Sequence, residues 1–370
     1  MKILFINLPY YGHVIPTIGL IQELIQKDIK VTTLMPFDWE DFMKQSGADF
    51  IGYENHKQLS EQIKNCYKKA ESIIQDYDLV IYEQFFFLGK HLAEKYHKPV
   101  IRIFTAPIAN KQLMNEYIQK GPLSIFKYKW ISKAFTKDIV KDIPLKTQTW
   151  LDEIIENPPK LNLIYTLKEY QPYIEEYNDE NYKFIGPSIY DQKEIFEFNK
   201  TRPIIYISLG TVVNNKKFIK TCIHAFKDEN VDVIISIKDE IKDYPSNIHI
   251  YSRVPQTSVL KITDCFITHG GMNSISEAFV ENVPMLVIPF SSDQPVNARC
   301  VEKLGVGIQF NYKKLNETQL KEKVFSLINN ENIKNNYIKV QEYIKKSPGN
   351  SGAVQIILDY YKKEINYDQK

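Results

Sequence analysis

The sequence predicts an α/β protein built from two parallel-sheet halves. Three observations carry this. Short apolar runs alternate with longer polar segments of helical spacing, and that alternation begins twice. Between the two series, Gly186-Pro187 and a mostly polar stretch over 191–202 read as a linker. The length, 370 residues, suits two domains of about 150 residues each.

Taken in order, residues 2–8 form the first strand, and Ile18, Ile21, Leu24 and Ile25 then share one helical face. Strands follow at 30–35, 50–53, 79–82, 100–104 and 163–166. Residues 110–156, rich in Lys, Tyr and Trp and without a clean period, predict irregular helices lining a groove. The second series starts at 203–209 and continues through 231–237, 265–268 and 284–288. Strands joined through helices pair in parallel, with both sheet faces covered. Residues 351–370 close the chain as an amphipathic helix with Val354, Ile357, Leu358 and Tyr361 on one side. The expected division is 1–186 as one domain, 187–202 as linker and 203–350 as a second domain.

Composition excludes several classes. Lys and Arg number 47 against 45 Asp and Glu, a balance without the basic surplus that phosphate neutralisation demands, so nucleic acid is not an expected partner. No apolar run approaches the roughly 20 residues of a membrane span. The opening apolar run meets Pro9 and Gly12 too early for a secretory leader. Four cysteines without a CxxC pair argue against a disulfide framework or zinc knuckle. A cytoplasmic protein, monomer or homodimer, is expected.

The strongest local pattern is the strand 265–268 followed by His269-Gly270-Gly271-Met272-Asn273-Ser274. Two glycines let the backbone turn, and a helix starting near Asn273–Ser274, both good cap types, aims free amides and its positive dipole end at one spot. A tight strand-to-helix turn with Asn as cap is the other reading of that segment. The strand 284–288 then delivers Asp293-Gln294 at its C-terminal end, where open α/β sheets bind ligands. A carboxylate and an amide there suit sugar hydroxyls.

These residues resemble the signature segment of the family 1 UDP-glycosyltransferases. The match runs over Pro255-Gln256, Leu260, Thr268-His269-Gly270-Gly271, Asn273-Ser274, Glu277, Pro284, Pro289, Asp293-Gln294 and Asn297-Ala298. Ile207-Ser208-Leu209-Gly210-Thr211 is similar to the phosphate-side loop of the bacterial macrolide-glycosyltransferase branch. The resemblance implies the GT-B fold, with two Rossmann-like domains facing across a cleft and the last helix crossing back to the first. It further implies that Glu277 holds the ribose, and that Arg253, Val254 and Gln256 lie at the nucleotide. Gly210, Thr211, His269, Gly271, Asn273 and Ser274 would meet the diphosphate, and Asp293 and Gln294 the hexose. Arg253 stands where the family usually has an aromatic residue on the base; a guanidinium plane also stacks on a π face, so uracil and thymine both stay open. Glucose is favoured by resemblance, with galactose, N-acetylglucosamine and deoxy sugars open.

At the other end, Gly12-His13 opens the first helix where a dinucleotide GxGxxG is absent. A helix N-terminus disfavours imidazolium, which suits a general base, although a cap or filler role is the blander reading. The strand 79–82 ends at Glu83, near the first βα turn. The resemblance places His13 at the catalytic-base position and Glu83 where an aspartate normally stands, one methylene shorter. Tyr10, Phe85 and Phe86 suggest an aromatic acceptor pocket for lipophilic phenols, flavonoid-like molecules or macrolides, with core packing the alternative. Asp76-Tyr77-Asp78 precedes its strand, the wrong end for a metal–diphosphate clamp, and no metal ligand spacing occurs elsewhere. The expectation is an inverting, metal-independent hexosyltransferase without cofactor. A non-catalytic nucleotide-sugar-binding protein, which would lack a base, and an epimerase of the same fold are the rival readings.

Overall fold

The structure, a computed structural model, describes residues 1–114, 125–141, 143, 145–190, 193–210, 215–239, 241–290, 293–314 and 316–368. The chain divides into two compact units, Met1–Ser188 with Ser347–Lys370, and Ile189–Lys346.

The first unit is built on seven parallel strands: β1 (Lys2–Ile6), β2 (Lys30–Pro36), β3 (Asp49–Tyr53), β4 (Leu79–Glu83), β5 (Val100–Phe104), β6 (Leu161–Ile164) and β7 (Tyr182–Phe184). Their spatial order is β3-β2-β1-β4-β5-β6-β7. Ile3 pairs with Val31 on one side and Leu79 on the other. The chain therefore winds outward from β1 to β3, then returns to the opposite side of β1 with β4. That reversal opens a crevice at the carboxyl ends of β1 and β4. Residues 79–83 and 100–104 are buried throughout, as expected of parallel strands covered on both faces.

The second unit repeats the plan with β8 (Ile204–Ser208), β9 (Asp232–Ser236), β10 (Ile248–Tyr251), β11 (Cys265–Thr268), β12 (Met285–Val287) and β13 (Gly307–Gln309), in the order β10-β9-β8-β11-β12-β13. All pairings are parallel, and the reversal falls between β8 and β11.

Several elements differ from the sequence reading. β7, β10 and β13 were not expected; each is a sheet edge of three or four residues and half-exposed in part, so each lacks the continuous apolar run of a central strand. β6 lies two residues earlier than 163–166 because it contains Asn162, a polar residue that is fully buried. Its amide accepts from Arg102 Nε at 2.9 Å and donates to the Pro159 and Asn181 carbonyls at 3.1 Å each. Within 110–156 the structure shows helices at Ile125–Ile139 and Trp150–Glu156.

The C-terminal helix, Gly349–Asp368, belongs to the first unit and lies along its first helix, Tyr11–Gln26. Val354 and Ile357 are buried, Ser351 Oγ donates to Glu23 Oε2 at 3.1 Å, and Lys160 pairs with Glu364 at 2.7 Å. Among the described residues no helix is long and apolar enough to cross a membrane.

Candidate active site

The first helix starts directly after β1, with Tyr10 as its N-cap residue, so His13 occupies the first turn. Pro16 lies inside this helix, beyond its first turn. It removes an amide from the helical ladder, and Thr17 Oγ1 bonds the Val14 carbonyl at 2.7 Å close by. Glu83 ends β4 with its backbone still in register opposite Ile103. The crevice thus brings together two residues 70 positions apart: His13 Nδ1 and Glu83 Oε1 are 2.9 Å from each other.

The carboxylate is fully buried and the imidazole about a quarter exposed. A carboxylate can only accept, so in this contact Nδ1 is the donor. The second carboxylate oxygen accepts from the Phe85 amide at 3.0 Å, which holds the longer glutamate side chain in reach without displacing the strand. Thr105 Oγ1, just beyond β5, lies 3.3 Å from the same imidazole nitrogen.

Aromatic rings surround this pair. Phe85 meets the imidazole edge-on with centroids 5.0 Å apart, and Tyr10 does so at 5.7 Å. Phe85 in turn faces Trp150 at 6.2 Å. Tyr10 remains 45% exposed, whereas Phe86 is wholly enclosed in the hydrophobic core with Tyr82, Phe104 and Ile164. Its complete burial in that cluster fits core packing, the alternative reading, rather than a pocket wall.

In the second unit, Gly210 after β8 and His269-Gly270-Gly271 after β11 share the reversal crevice. A Cβ on Gly210, whose φ is +71°, would stand 2.6 Å from His269 Cε1, and one on Gly271 would stand 2.6 Å from Nε2. Only glycine on both sides leaves space for this ring. Burial lowers the His269 pKa, against the opposing pull of Asp293, so the ring is neutral at pH 7. The helix Met272–Glu281 starts at Gly271, which has no capping side chain. Asn273 and Ser274 are therefore in its first turn rather than at its cap, with the first-turn amides directed out of the helix. Thr211 lies outside the described residues.

Gln256 opens the short helix Gln256–Leu260 and bridges to the same place. Its Nε2 donates to Ser274 Oγ at 3.1 Å and to Glu277 Oε2, while its Oε1 accepts from the Tyr206 hydroxyl at 3.1 Å. Burial pushes the Glu277 carboxyl up to about 7, and the Gln256 amide partly offsets this. Val254 is buried, whereas the Arg253 guanidinium is largely exposed and pairs with Glu194 at 3.5 Å. Asp293 precedes the helix Gln294–Lys303 at its N-cap position without a capping side-chain bond; Gln294 Oε1 accepts from the Phe290 amide at 2.8 Å. Asn297, fully buried, donates to the Gly270 carbonyl at 2.9 Å and to Asp293 Oδ2 at 2.7 Å, joining the glycine turn to the acidic loop.

The family model for UDP-glucoronosyl and UDP-glucosyl transferase matches residues 181–350. Over 387 aligned residues the chain is 30% identical to the NDP-glycosyltransferase YjiC of Bacillus subtilis, with 97% of each covered. The chain belongs to this family. It is 22% identical to the oleandomycin glycosyltransferase of Streptomyces antibioticus over 94% of its own length and 88% of that protein's. Among solved structures, the kitacinnamycin glycotransferase superposes with a TM-score of 0.81 at 21% identity, covering 97% of this chain and 98% of the other. The calicheamicin glycosyltransferase CalG4 gives 0.80 at 24% identity over the same shares. The chain is thus a family 1 UDP-glycosyltransferase with the GT-B fold.

Within this glycosyltransferase, three residues escaped the sequence reading. Thr105 and Tyr206 lie 92 and 50 positions from their partners and carry no motif, so only the strand order brings them in. Asn297 stood in the matched segment, but its two-way link between Gly270 and Asp293 needs the helix turn that follows Asp293.

Proposed function

We propose that the protein transfers a hexose, glucose first among candidates, from a UDP-sugar to a hydroxyl of a small lipophilic acceptor with inversion of configuration. The observation that carries this reading is the His13–Glu83 pair at the sheet reversal of the first unit. His13 Nε2 takes the acceptor proton as the oxygen attacks the anomeric carbon; Glu83 stabilises the imidazolium that forms and keeps the ring in one tautomer. The acceptor oxygen bonds to that carbon, the bond to UDP breaks on the opposite face, and an α donor yields a β glycoside through an oxocarbenium-like state.

The donor lies on the second unit. Glu277 accepts from the ribose hydroxyls, with Gln256 and Val254 beside it and Arg253 over the base. The amides at the start of Met272–Glu281, with His269, Asn273, Ser274 and the Gly210 and Gly271 backbone, hold the diphosphate and carry its charge as it leaves. Asp293 and Gln294 hold the hexose hydroxyls. No cofactor or metal takes part in this scheme, in which the helix N-terminus and His269 carry the leaving-group charge. Tyr10 and Phe85 form the acceptor wall, and the aromatic character of that wall together with the antibiotic glycosyltransferase relatives supports a natural-product acceptor.

The test follows UDP release from UDP-glucose in EDTA across a panel of phenolic and macrolide acceptors, with His13→Ala as control. Acceptor-dependent release that collapses in the variant is expected. Turnover of donor without any acceptor, or full activity in His13→Ala, would overturn the scheme.

A further inference from the structure

Tyr206 sits in the middle of β8, 1% exposed, and stacks on Phe266 of β11 with centroids 5.0 Å apart. It touches no surface a ligand can reach. Its hydroxyl nevertheless donates to Gln256 Oε1 at 3.1 Å. That bond uses the one proton the phenol can donate.

The consequence passes through the amide. With Oε1 engaged, the NH2 group of Gln256 must point the other way, where it donates to both Ser274 Oγ and Glu277 Oε2. A serine hydroxyl either donates or accepts, and so does a carboxyl that still holds its proton. Neither of these can by itself select the amide orientation. The phenol biases it by donating: with its O–H on Oε1, the NH2 group is left for Ser274 and Glu277.

We propose that Tyr206 is a positioning residue for nucleotide selection: through Gln256 it keeps Glu277 a hydrogen-bond acceptor, and so sets the preference for a ribonucleotide over a 2′-deoxyribonucleotide donor. This rests on the assignment of Glu277 to the ribose. A carboxylate that accepts from the 2′-hydroxyl gains nothing from a donor lacking it. A neutral carboxyl, its proton held by a flipped amide, accepts more weakly from that hydroxyl, so the preference narrows.

The experiment measures binding of UDP and 2′-deoxy-UDP to the full chain by calorimetry, for the parent, Tyr206→Phe and Glu277→Gln, with melting temperatures alongside. Tyr206→Phe is expected to weaken UDP about five-fold, the equivalent of one hydrogen bond, and to leave 2′-deoxy-UDP unchanged. The pH at which UDP affinity is half-maximal should also move upward, since a freed amide can present its carbonyl to Glu277 and favour the carboxylic acid. Equal losses for both nucleotides, or none, overturn the proposal. If Glu277→Gln keeps the parent's preference, the ribose assignment itself fails, and the role of Tyr206 falls with it. Should the phenol prove necessary for folding, Gln256→Leu cuts the same link from the other side and must likewise narrow the preference without equal loss of both ligands.

Discussion

Glu83→Asp is the substitution that tests the site most sharply, because it restores the residue type usual in the family and should nonetheless impair the enzyme. Glu83 is fully buried, its backbone is fixed opposite Ile103, and its two oxygens are divided between His13 Nδ1 at 2.9 Å and the Phe85 amide at 3.0 Å. Removing one methylene withdraws the carboxylate by about 1.3 Å, which opens the histidine contact to about 4 Å and ends it as a hydrogen bond. A hydrogen bond to a charged partner contributes about 1.5–3 kcal/mol, and 1.4 kcal/mol corresponds to a factor of ten, so kcat should fall roughly 10- to 150-fold. The donor KM should stay the same, as Glu83 and the residues proposed to hold the nucleotide belong to different units. Steady-state UDP release at saturating acceptor reads the effect, and a melting curve separates it from unfolding. An Asp variant as active as the parent and equally stable would refute the reasoning, since it would mean the carboxylate does not orient the base.

Other perturbations follow from the same geometry. Phe86→Ala should destabilise the protein by about 3–5 kcal/mol in chemical denaturation, because the ring is wholly enclosed, whereas Phe85→Ala should mainly lower turnover. Gly210→Ala and Gly271→Ala each place a methyl group 2.6 Å from the His269 ring; a cost of about 1–3 kcal/mol and weakened UDP binding by calorimetry are expected. Glu277 has its pKa raised to about 7 from an ordinary 4.5. The folded state thus binds more protons than the unfolded state between those values, and its contribution to stability declines as pH rises through them. UDP affinity should do the reverse, increasing from pH 6 to 8 as the carboxylate forms, and Glu277→Gln should flatten both profiles.

The parts legible in the sequence are those where chemistry and structure are local. The strand at 265–268, its glycine turn and the helix after it are contiguous, so these three elements could be placed from spacing alone. The central strands of both sheets were legible because burial on both faces makes them continuously apolar. Asn162 broke that rule and shifted β6, since an amide satisfied by Arg102 and two carbonyls is as well buried as a leucine. Edge strands such as β7 and β13 present one side to solvent and leave no apolar run. For Phe86 the limitation is different: three consecutive phenylalanines look alike in sequence, and only the turn after Glu83 directs Phe85 toward the imidazole and Phe86 into the core.

Strand order accounts for why the two units, built to one plan, carry different chemistry. Each sheet reverses between the strand that opens it and the fourth in sequence, and each reversal leaves a crevice lined by one strand-to-helix turn and the end of the returning strand. In the first unit the turn contributes an imidazole and the returning strand a buried carboxylate, an arrangement suited to the proton transfer proposed above. In the second unit the turn contributes Gly210 and the returning strand leads into His269, packed between Gly210 and Gly271, with a helix N-terminus directly after, an arrangement suited to the diphosphate proposed above. Exchanging the residues rather than the fold would exchange the chemistry. What makes each crevice specific lies one layer further back: the Phe85 amide holds Glu83, Tyr206 orients Gln256, and Asn297 ties Gly270 to Asp293. These supports come from loops and strands distant in sequence, so the same crevice on the same fold can be retuned by substitutions that never meet the substrate.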